Sequence, residues 1–402
     1  MILKNGLVLK NDELFKLDVR VEGDKIVEIG LDLKGENVID VKGGWIIPGA
    51  VDVHAHLREP GYEHKGDIQS ETYSAAKGGI TTVMAMPNTM PVPCDAKSAK
   101  LVYDLLAEKS LVHAYLFGSV TKNQKGRKVS DIKGMLPYIK ALSDDGVCVN
   151  NQRVLKKAMQ EAKKYDLVIA SHAEASQYEE PAAEYEAVKR EIELANEVGC
   201  KYHFCHLSTE ESFLAVKRIQ FINKEITCEV TPHHLFLHDK CIAENTNFKM
   251  NPPLRSLRDM RFTFRSILEG ISTMIATDHA PHSEKEKAVE YSKAPNGIIG
   301  FETMLPLVYT GLVITGRMTH AKMIEVVTTN PAKRFGLPYS KIEVGSKADI
   351  AVLDINTTRK YTKDEIVSKS KNSPYIGMEL CGFNVLTLVS GKVVYNGLNN
   401  LS

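Results

Sequence analysis

The sequence predicts an α/β fold: a (β/α)₈ barrel of the TIM type, with a small β-sandwich domain built from both termini. Three observations predict it. The middle of the chain alternates short apolar runs with helix-patterned runs about eight times, both ends carry short alternating strands, and metal-ligand residue types recur just after the apolar runs. A barrel accounts for the third observation because it gathers the carboxyl ends of its strands in one mouth.

The two terminal segments are predicted to form one β domain. Residues 1–47 alternate apolar and polar positions between Gly and Asn-Asp punctuation, and segments 348–354 and 385–395 repeat that pattern near the other end. Chain termini commonly lie close together, so residues 1–48 plus 340–402 are expected to form the composite β-sandwich domain. Residues 49–339 then form the metal-dependent catalytic barrel.

Apolar runs in the middle of the chain are the candidate barrel strands. They cover 49–53, 81–85, 112–117, a run around Val147, 167–170, 202–205, 226–230 and 273–276. Apolar residues at three- and four-residue spacing predict helices between them, which include 96–109, 152–165, 183–198 and 210–221. A doubly wound open sheet would give a similar string of elements, but it would not bring residues from five strand ends to one site.

The composition is that of a folded protein that acts on small molecules or binds other subunits. Of 402 residues, 43% are hydrophobic and 25% charged. The 51 Lys and Arg balance 50 Asp and Glu without long blocks of one sign, which gives no electrostatic case for nucleic acid or a membrane surface. The start of the chain has no basic leader followed by an apolar run, so a cytoplasmic protein is expected. Seven scattered cysteines without a Cys-x-x-Cys pair indicate reduced thiols.

The most informative motif is His54-Ala-His56, at the end of the first candidate barrel strand. Alternate strand residues point the same way, so two such imidazoles can bind one ion from one face. Taken alone, the pair is explained equally well as two surface or core histidines. That explanation loses weight because further ligand types follow four later apolar runs, at Asp145, His172, His206 and Asp278.

Four histidines and two aspartates are enough ligands for two metal ions. Imidazole and carboxylate suit Zn²⁺, and we expect one or two zinc ions per subunit. One ion is expected on His54, His56 and Asp278 and the other on His172 and His206, with Asp145 bridging the two. Each position also has an ordinary structural explanation, such as a turn at 144–146, a core histidine at 172 or a helix cap at 278. All of these explanations would have to hold at once to remove the site.

Polar residues near these ligands are candidates for substrate binding. Arg58 shares the face of the His pair, and a guanidinium beside a metal centre suits a substrate carboxylate, although pairing with a neighbouring glutamate would explain it as well. Asn88 and Asn251 offer amide groups from loops, where either is equally well a turn residue. His282 follows the last ligand by four positions. His203 and four other histidines are assigned to the surface or to packing.

Longer motifs of the chain resemble dihydroorotases of the amidohydrolase superfamily, of the longer bacterial and archaeal type. The His-x-His pair alone marks only the superfamily. The Leu57-Arg-Glu-Pro-Gly61 extension and the Asn251-Pro-Pro-Leu-Arg255 motif are much more specific. The resembling segments span nearly the whole chain and include 54–61, 86–89, 143–146, 205–208, 229–234, 249–255 and 276–282.

The resemblance implies reversible cyclisation of N-carbamoyl-L-aspartate to L-dihydroorotate in de novo pyrimidine (UMP) biosynthesis. Asp278 is the implied catalytic acid and base: in the hydrolytic direction it takes the proton of a metal-bound hydroxide and passes it to the departing nitrogen. Arg58, Asn88 and His282 are implied to hold the substrate carboxylate, and Asn251 to contact the ring. The full implied substrate-binding set is His56, Arg58, Asn88, Asn251, His282, Asn296 and Gly297.

Three features depart from the family pattern. Many superfamily members bridge their ions with a carbamylated lysine, where this chain has Asp145. The segment from Glu174 to Glu186 is shorter than in typical relatives, so that one wall of the mouth would be missing or supplied by a partner. Asn296 stands where an aromatic residue is expected, which leaves the ring contacts at that position open.

Two other functions compete with this interpretation. A hydantoinase or allantoinase opens a similar cyclic amide on the same scaffold, but those enzymes usually keep the bridging lysine and lack the carboxylate-binding arginine, so Asp145 and Arg58 favour dihydroorotase. A non-catalytic, dihydroorotase-like scaffold subunit is disfavoured because such proteins tend to lose metal ligands and none is lost here. The family also implies a homodimer and a complex with aspartate carbamoyltransferase.

Overall fold

The structure, a computed structural model, describes residues 1–398. Its strands are β1 (Ile2–Lys10), β2 (Glu13–Glu22), β3 (Lys25–Gly30), β4 (Val38–Asp40), β5 (Trp45–Pro48), β6 (Ala50–Ala55), β7 (Ile80–Ala85), β8 (His113–Gly118), β9 (Ala141–Ser143), β10 (Val168–Ser171), β11 (Tyr202–Phe204), β12 (Ile226–Val230), β13 (Met274–Ile275), β14 (Ile350–Asp354), β15 (Arg359–Lys360), β16 (Glu379–Leu380), β17 (Phe383–Val389) and β18 (Lys392–Asn396). Its α-helices are α1 (Ile68–Lys77), α2 (Ala96–Lys109), α3 (Ile132–Met135), α4 (Gln152–Lys164), α5 (Ala182–Val198), α6 (Glu210–Gln220), α7 (Pro232–Phe236), α8 (Leu257–Leu268), α9 (Glu284–Lys287), α10 (Met304–Val308), α11 (His320–Ile324) and α12 (Asn330–Phe335). Within the described residues, no helix combines the length and the apolar character needed to cross a membrane.

Strands β6 to β13 form the predicted barrel. They pair in chain order and each is parallel to the next, so their carboxyl ends all face one side. The first and last strands meet where Ala55 bridges His279. Every residue of β6 and β7 is buried, as expected for parallel strands that are covered on both faces. The barrel prediction is confirmed.

The position of the fourth barrel strand is a correction to the sequence-based prediction. β9 lies upstream of the residues around Val147, and Val147 itself is 45% exposed in the turn that follows. That turn contains Gly146, whose φ of +72° lies in the left-handed region that glycine adopts without a steric penalty. The strand therefore ends directly before Asp144 and Asp145, which places both carboxylates at the mouth of the barrel.

The helices follow their predicted spans closely because the sequence contains their caps. α2 covers the predicted residues 96–109 and begins after Asp95, whose carboxylate accepts a hydrogen bond from the Ser98 backbone N–H in a capping box. α5 ends at Gly199, which has a φ of +68°. Helix limits set by local residues can be predicted without knowledge of the tertiary structure.

Both ends of the chain contribute to a second sheet, in the order β18-β17-β14-β5-β1-β2-β3, with β4 paired to β1. β5 from the first segment and β14 from the last are antiparallel neighbours, so backbone hydrogen bonds join the two termini. Leu3 and Leu386 lie in its buried core. The domain limits 1–48 plus 340–402 stay predictions, and residues 399–402 lie outside the described part of the chain.

Candidate active site and metal centre

The six predicted metal ligands are all buried and converge at the carboxyl ends of β6, β9, β10, β11 and β13. Asp145 lies between the four imidazoles. Its Oδ1 is 3.3 Å from His54 Nε2 and 3.6 Å from His206 Nε2. Oδ1 is also 3.8 Å from His172 Nδ1, and Oδ2 is 3.4 Å from His56 Nε2. One carboxylate therefore touches all four imidazoles, which is the position a bridging ligand requires.

Asp278 lies on the His54 and His56 side of this cluster. Its Oδ1 is 3.1 Å from His56 Nε2 and 3.4 Å from His54 Nε2. On the other side, His172 Nδ1 and His206 Nε2 are 3.1 Å apart. The geometry brings the six residues together, but His206 also lies within 4.8 Å of ligand atoms of His54 and Asp278. The division into two groups and the roles as ligands therefore stay predictions.

Four buried atoms of the cluster have no hydrogen-bond partner, namely His54 Nε2, His56 Nδ1, His206 Nδ1 and Asp145 Oδ1. The atoms His54 Nε2 and Asp145 Oδ1 are 3.3 Å apart, but this pair does not have the geometry of a hydrogen bond. A buried polar atom without a partner is costly, and a cation between an imidazole nitrogen and a carboxylate oxygen would satisfy both. Within the cluster, sets of three ligand atoms lie within 4.8 Å of one another. These residues fit one or two divalent cations, and this mixture of donors suits zinc.

A buried carboxylate behind the cluster orients one of its imidazoles. Glu229, on β12, lies 2.7 Å from His54 Nδ1 and 3.1 Å from His203 Nε2. Burial opposes its ionisation, but His54 and His203 outweigh burial and lower the pKa of Glu229 to about 2. The carboxylate can therefore accept the Nδ1–H of His54, which leaves the Nε2 lone pair for the cluster. His203, assigned to the surface or to packing from the sequence, is buried as the second partner of Glu229.

A second carboxylate orients His172 from the rim of the mouth. Glu174 Oε2 lies 3.0 Å from His172 Nε2 and accepts a hydrogen bond from Asn251 Nδ2 at 2.9 Å. The contact with His172 lowers the pKa of Glu174 to about 2. His172 therefore presents Nδ1 to the cluster, and Asn251, a predicted substrate-binding residue, is tied to the same carboxylate. Neither Glu174 nor Glu229 was assigned a role from the sequence. Glu229 could have been noticed as an acidic residue within an apolar strand, because a buried carboxylate almost always has a partner.

One cavity of about 260 Å³ lies in front of the cluster. It is open to the mouth of the barrel and bounded on one side by the predicted ligands and on the other by loop residues. The predicted substrate-binding residues all line it, namely His56, Arg58, Asn88, Asn251, His282, Asn296 and Gly297. The structure thus places every residue of that set in one cavity, while their individual roles stay predictions.

Arg58 provides a half-buried positive charge in the cavity. Its Nε donates to the Pro281 carbonyl at 3.0 Å, and one terminal nitrogen lies 3.2 Å from His282 Nε2. The neighbouring glutamates are occupied elsewhere, because Glu59 accepts from the Ile68 N–H and Glu63 from the Gly61 N–H. Burial lowers the pKa of Arg58 to about 10, so the guanidinium is still charged at neutral pH.

The other cavity residues offer polar groups beside this guanidinium. His282 Nε2 lies 2.8 Å from the Asn296 carbonyl, and burial together with the Arg58 charge lowers the pKa of His282 to about 2, so it is a neutral imidazole. Asn88 donates to the Asp145 carbonyl at 2.8 Å, while its own Oδ1 is buried without a partner. Gly297 has a φ of +132°, and a Cβ there would come within 2.8 Å of Ala280 Cβ. The cavity wall at 297 therefore requires glycine.

Comparison with known proteins identifies the family of this chain. The model of the amidohydrolase family matches residues 45–394. A dihydroorotase of Brevibacillus brevis is 40% identical, and the alignment covers 99% of this chain and 100% of that protein. A dihydroorotase of Staphylococcus epidermidis is 38% identical, with 98% and 99% covered.

Solved structures show the same fold. An L-hydantoinase (dihydropyrimidinase) of Arthrobacter aurescens superposes with a TM-score of 0.88 at 26% identity, over 98% of this chain and 96% of that chain. A dihydropyrimidinase of Brevibacillus agri reaches 0.87 at 21% identity, over 99% and 95%, a likeness that bears on the fold alone. The chain therefore belongs to the amidohydrolase family, in the branch that contains the dihydroorotases to which it is similar.

Proposed function

We propose that this protein is a dihydroorotase, which reversibly cyclises N-carbamoyl-L-aspartate to L-dihydroorotate in de novo pyrimidine (UMP) biosynthesis. The observation that carries the proposal is that the charged guanidinium of Arg58 lines the same cavity as five of the six predicted ligands, namely His56, Asp145, His172, His206 and Asp278. A cyclic amide that bears a carboxylate needs both features, one to hold its anion and one to act on its carbonyl. The 40% identity to a dihydroorotase over its full length supports the same activity.

The cofactor that we propose is zinc, with one or two ions per subunit. His54, His56 and Asp278 would hold one ion and His172 and His206 the other, with Asp145 between them. When bound, such ions lower the pKa of a water molecule and polarise a carbonyl oxygen. The unpaired buried atoms His54 Nε2 and Asp145 Oδ1 support this assignment.

Arg58, Asn88 and His282 bind the substrate carboxylate in this proposal. The guanidinium supplies the charge, and two of its N–H groups suit a carboxylate bidentately. His282 is a neutral imidazole 3.2 Å from the guanidinium, so it lines the carboxylate site without adding charge. Asn251 lies across the cavity beside His172 and contacts the ring, together with the loop that contains Asn296 and Gly297.

Asp278 moves the proton. Burial opposes its ionisation, but the imidazoles of His54 and His56 outweigh burial and hold the pKa of Asp278 below its usual range. It is therefore a carboxylate at neutral pH and can accept a proton. In hydrolysis Asp278 takes a proton from the attacking water and delivers it to the departing ring nitrogen, and in cyclisation the proton moves the other way.

The test is a turnover assay on purified protein with dihydroorotate and with N-carbamoyl-L-aspartate, run beside metal analysis. We expect turnover in both directions, its loss on chelation and its recovery when zinc is added. Hydantoin and allantoin serve as control substrates that lack the carboxylate of dihydroorotate. Protein with its metal bound that turns over neither pyrimidine substrate would overturn the proposal.

A hydantoinase is the second candidate, because the likeness to the Arthrobacter aurescens L-hydantoinase extends over nearly the whole chain. Faster turnover of hydantoin than of dihydroorotate would favour it. Against it stand Asp145 and the half-buried Arg58 that lines the cavity. A non-catalytic scaffold subunit would turn over neither class of substrate. Such proteins tend to lose metal ligands, so the presence of all six predicted ligands weighs against it.

The remaining predictions concern location and assembly. The seven cysteines are all free, which suits a reducing compartment, and we propose the cytoplasm. Homodimerisation and a complex with aspartate carbamoyltransferase follow from the family resemblance. Light scattering on the purified protein measures the first, and co-elution with purified aspartate carbamoyltransferase measures the second.

A further inference from the structure

The barrel closes at a seam, the junction of β6 with β13. Seven pairs of neighbouring strands share a parallel ladder, whereas in the described residues β6 and β13 lie at the two ends of the strand order and share none. Backbone contact across the seam consists of the Ala55–His279 bridge, in which His56 N–H donates to the His279 carbonyl at 2.8 Å. The seam also separates the His54 and His56 strand from Asp278.

The carboxylate of Asp52 crosses this seam. Asp52 is completely buried. Its Oδ1 accepts from the His54 N–H on its own strand at 3.2 Å and from the Thr277 N–H opposite at 3.1 Å. Its Oδ2 accepts from the Thr277 hydroxyl at 2.5 Å, and that hydroxyl accepts in turn from the His279 N–H at 3.0 Å.

These bonds tie down the backbone on both sides of Asp278. The residue before it is bonded to Asp52 directly, and the residue after it is bonded through the Thr277 hydroxyl. Asp278 itself has a φ of +50°, in the left-handed region that a residue with a Cβ rarely adopts. Such a conformation persists only where the surroundings determine it, and at the seam the Asp52 carboxylate supplies part of that constraint.

We propose that Asp52 is a positioning residue, which sets the separation of His54 and His56 from Asp278 by bonding Thr277 across the seam. The inference rests on the proposed function, because it concerns the geometry of the same site. Asp52 does not line the cavity and is not one of the predicted ligands. It acts on β6 and on the residues after β13, which in the described residues share no ladder and whose backbones are joined by the Ala55–His279 bridge. Loss of Asp52 should therefore change the site more than it changes the fold.

The test uses Asp52→Ala and Asp52→Asn, with Thr277→Val and Thr277→Ser as the reciprocal pair. Alanine removes the acceptor for both amides, whereas asparagine keeps an oxygen for them. Valine removes only the Thr277 hydroxyl at nearly constant shape, and serine keeps it. Asp18→Ala is the matched control, since that carboxylate also is buried and accepts two backbone N–H groups, from Asn5 and Leu33, but lies in the terminal sheet.

Each variant is measured for zinc affinity by competition with a chelator and, at saturating zinc, for kcat and KM separately. We expect Asp52→Ala to bind zinc about tenfold more weakly and to lose kcat by on the order of 10²-fold with little change in KM. Asp52→Asn and Thr277→Ser should recover most of both losses, and Thr277→Val should lie between. Asp18→Ala should match wild type in both readouts.

Wild-type zinc affinity and kcat in Asp52→Ala, or equal losses in Asp18→Ala, would overturn the proposal. If Asp52→Ala does not fold, the Thr277→Val and Thr277→Ser comparison decides, since it changes one hydroxyl. Zinc affinity is measured without substrate. A wild type that binds zinc but fails to turn over dihydroorotate would therefore count against the proposed function and leave the test of Asp52 intact.

Discussion

The two ends of the cavity are held in place by opposite means. At the metal end, carboxylates orient imidazoles, as Glu229 does for His54 and Glu174 for His172. At the other end, a backbone carbonyl contacts the cation, because the Arg58 Nε donates to the Pro281 carbonyl at 3.0 Å. A carboxylate compensates the charge that it contacts, whereas a carbonyl only solvates it. The metal end is thus suited to binding cations, because fixed carboxylates surround it. The Arg58 end keeps its positive charge available for a substrate anion.

Loss of Asp278 should have the largest effect, because this residue combines the proposed proton transfer with a place in the metal cluster. Asp278→Ala should lower kcat by on the order of 10⁴-fold at saturating zinc. Asp278→Asn keeps the shape but cannot take up a proton, and it should be as inactive. Steady-state assays with both substrates check this, and an asparagine variant with a tenth of wild-type kcat would exclude Asp278 as the base.

Removal of Arg58 tests the anion end separately. Arg58→Met should lower kcat/KM by on the order of 10²- to 10³-fold, because the charged partner of the substrate carboxylate is lost. The zinc content should stay at the wild-type value, since the guanidinium contacts a carbonyl and an imidazole outside the predicted ligand set. Arg58→Lys keeps the charge but not the planar pair of donors and should recover part of the loss. Robust activity in Arg58→Met would contradict the carboxylate-binding role.

Glu229→Gln should weaken the metal end alone. A neutral glutamine amide orients the His54 imidazole less strongly than a carboxylate does, so zinc affinity should fall by about 10- to 100-fold. The KM at saturating zinc should change little. Competition with a chelator measures the affinity. Glu184→Gln is the matched control, because Glu184 is as deeply buried but contacts serine and threonine hydroxyls and Arg255 instead of a predicted ligand. An equal loss of affinity in both variants would mean that Glu229 acts through stability only.

The ligand cluster could be predicted from the sequence because barrel geometry turns a local pattern into a spatial one. His172 and His206 each follow a short apolar run, and a parallel barrel brings all such strand ends to one mouth. Helix α2 could be predicted for a different reason. Its cap, Asp95, directly precedes the first turn and bonds the backbone of Ser98 within that turn. Both inferences use information that is close together in the chain.

The contacts of Glu229 and Asp52 could not be predicted because their partners are distant in the chain, whereas Glu174 lies only two positions from His172. Glu229 and His54 are 175 positions apart, and Asp52 and Thr277 are 225 apart. Backbone strain was equally invisible: Arg58, His206 and Asp278 all have positive φ values, which residue preferences alone would argue against. Such conformations are set by tertiary contacts at the site. Sequence patterns therefore predicted which residues meet, but not which residues hold them there.

The smallest effect on turnover is expected for Glu184→Gln, which changes a buried carboxylate away from both ends of the cavity. Burial would raise the pKa of Glu184, but Arg255 and the Ser208 hydroxyl outweigh burial and keep that pKa below its ordinary value. The charged form is thus stabilised by folding, and the variant should lose about 2 kcal/mol of unfolding free energy at pH 7 with kcat nearly unchanged.

The pH dependence of that loss has a definite sign. A carboxyl group whose pKa is lower in the folded state contributes stability above its unfolded pKa of about 4.3, and this contribution disappears as the pH falls through the folded value. The difference in unfolding free energy between wild type and Glu184→Gln should therefore be constant from about pH 7 to 5 and shrink below about pH 4. Urea denaturation over this pH series measures it. A difference that grew on acidification would mean that burial dominates, and that Glu184 is held as a neutral acid instead of as a carboxylate that Arg255 compensates.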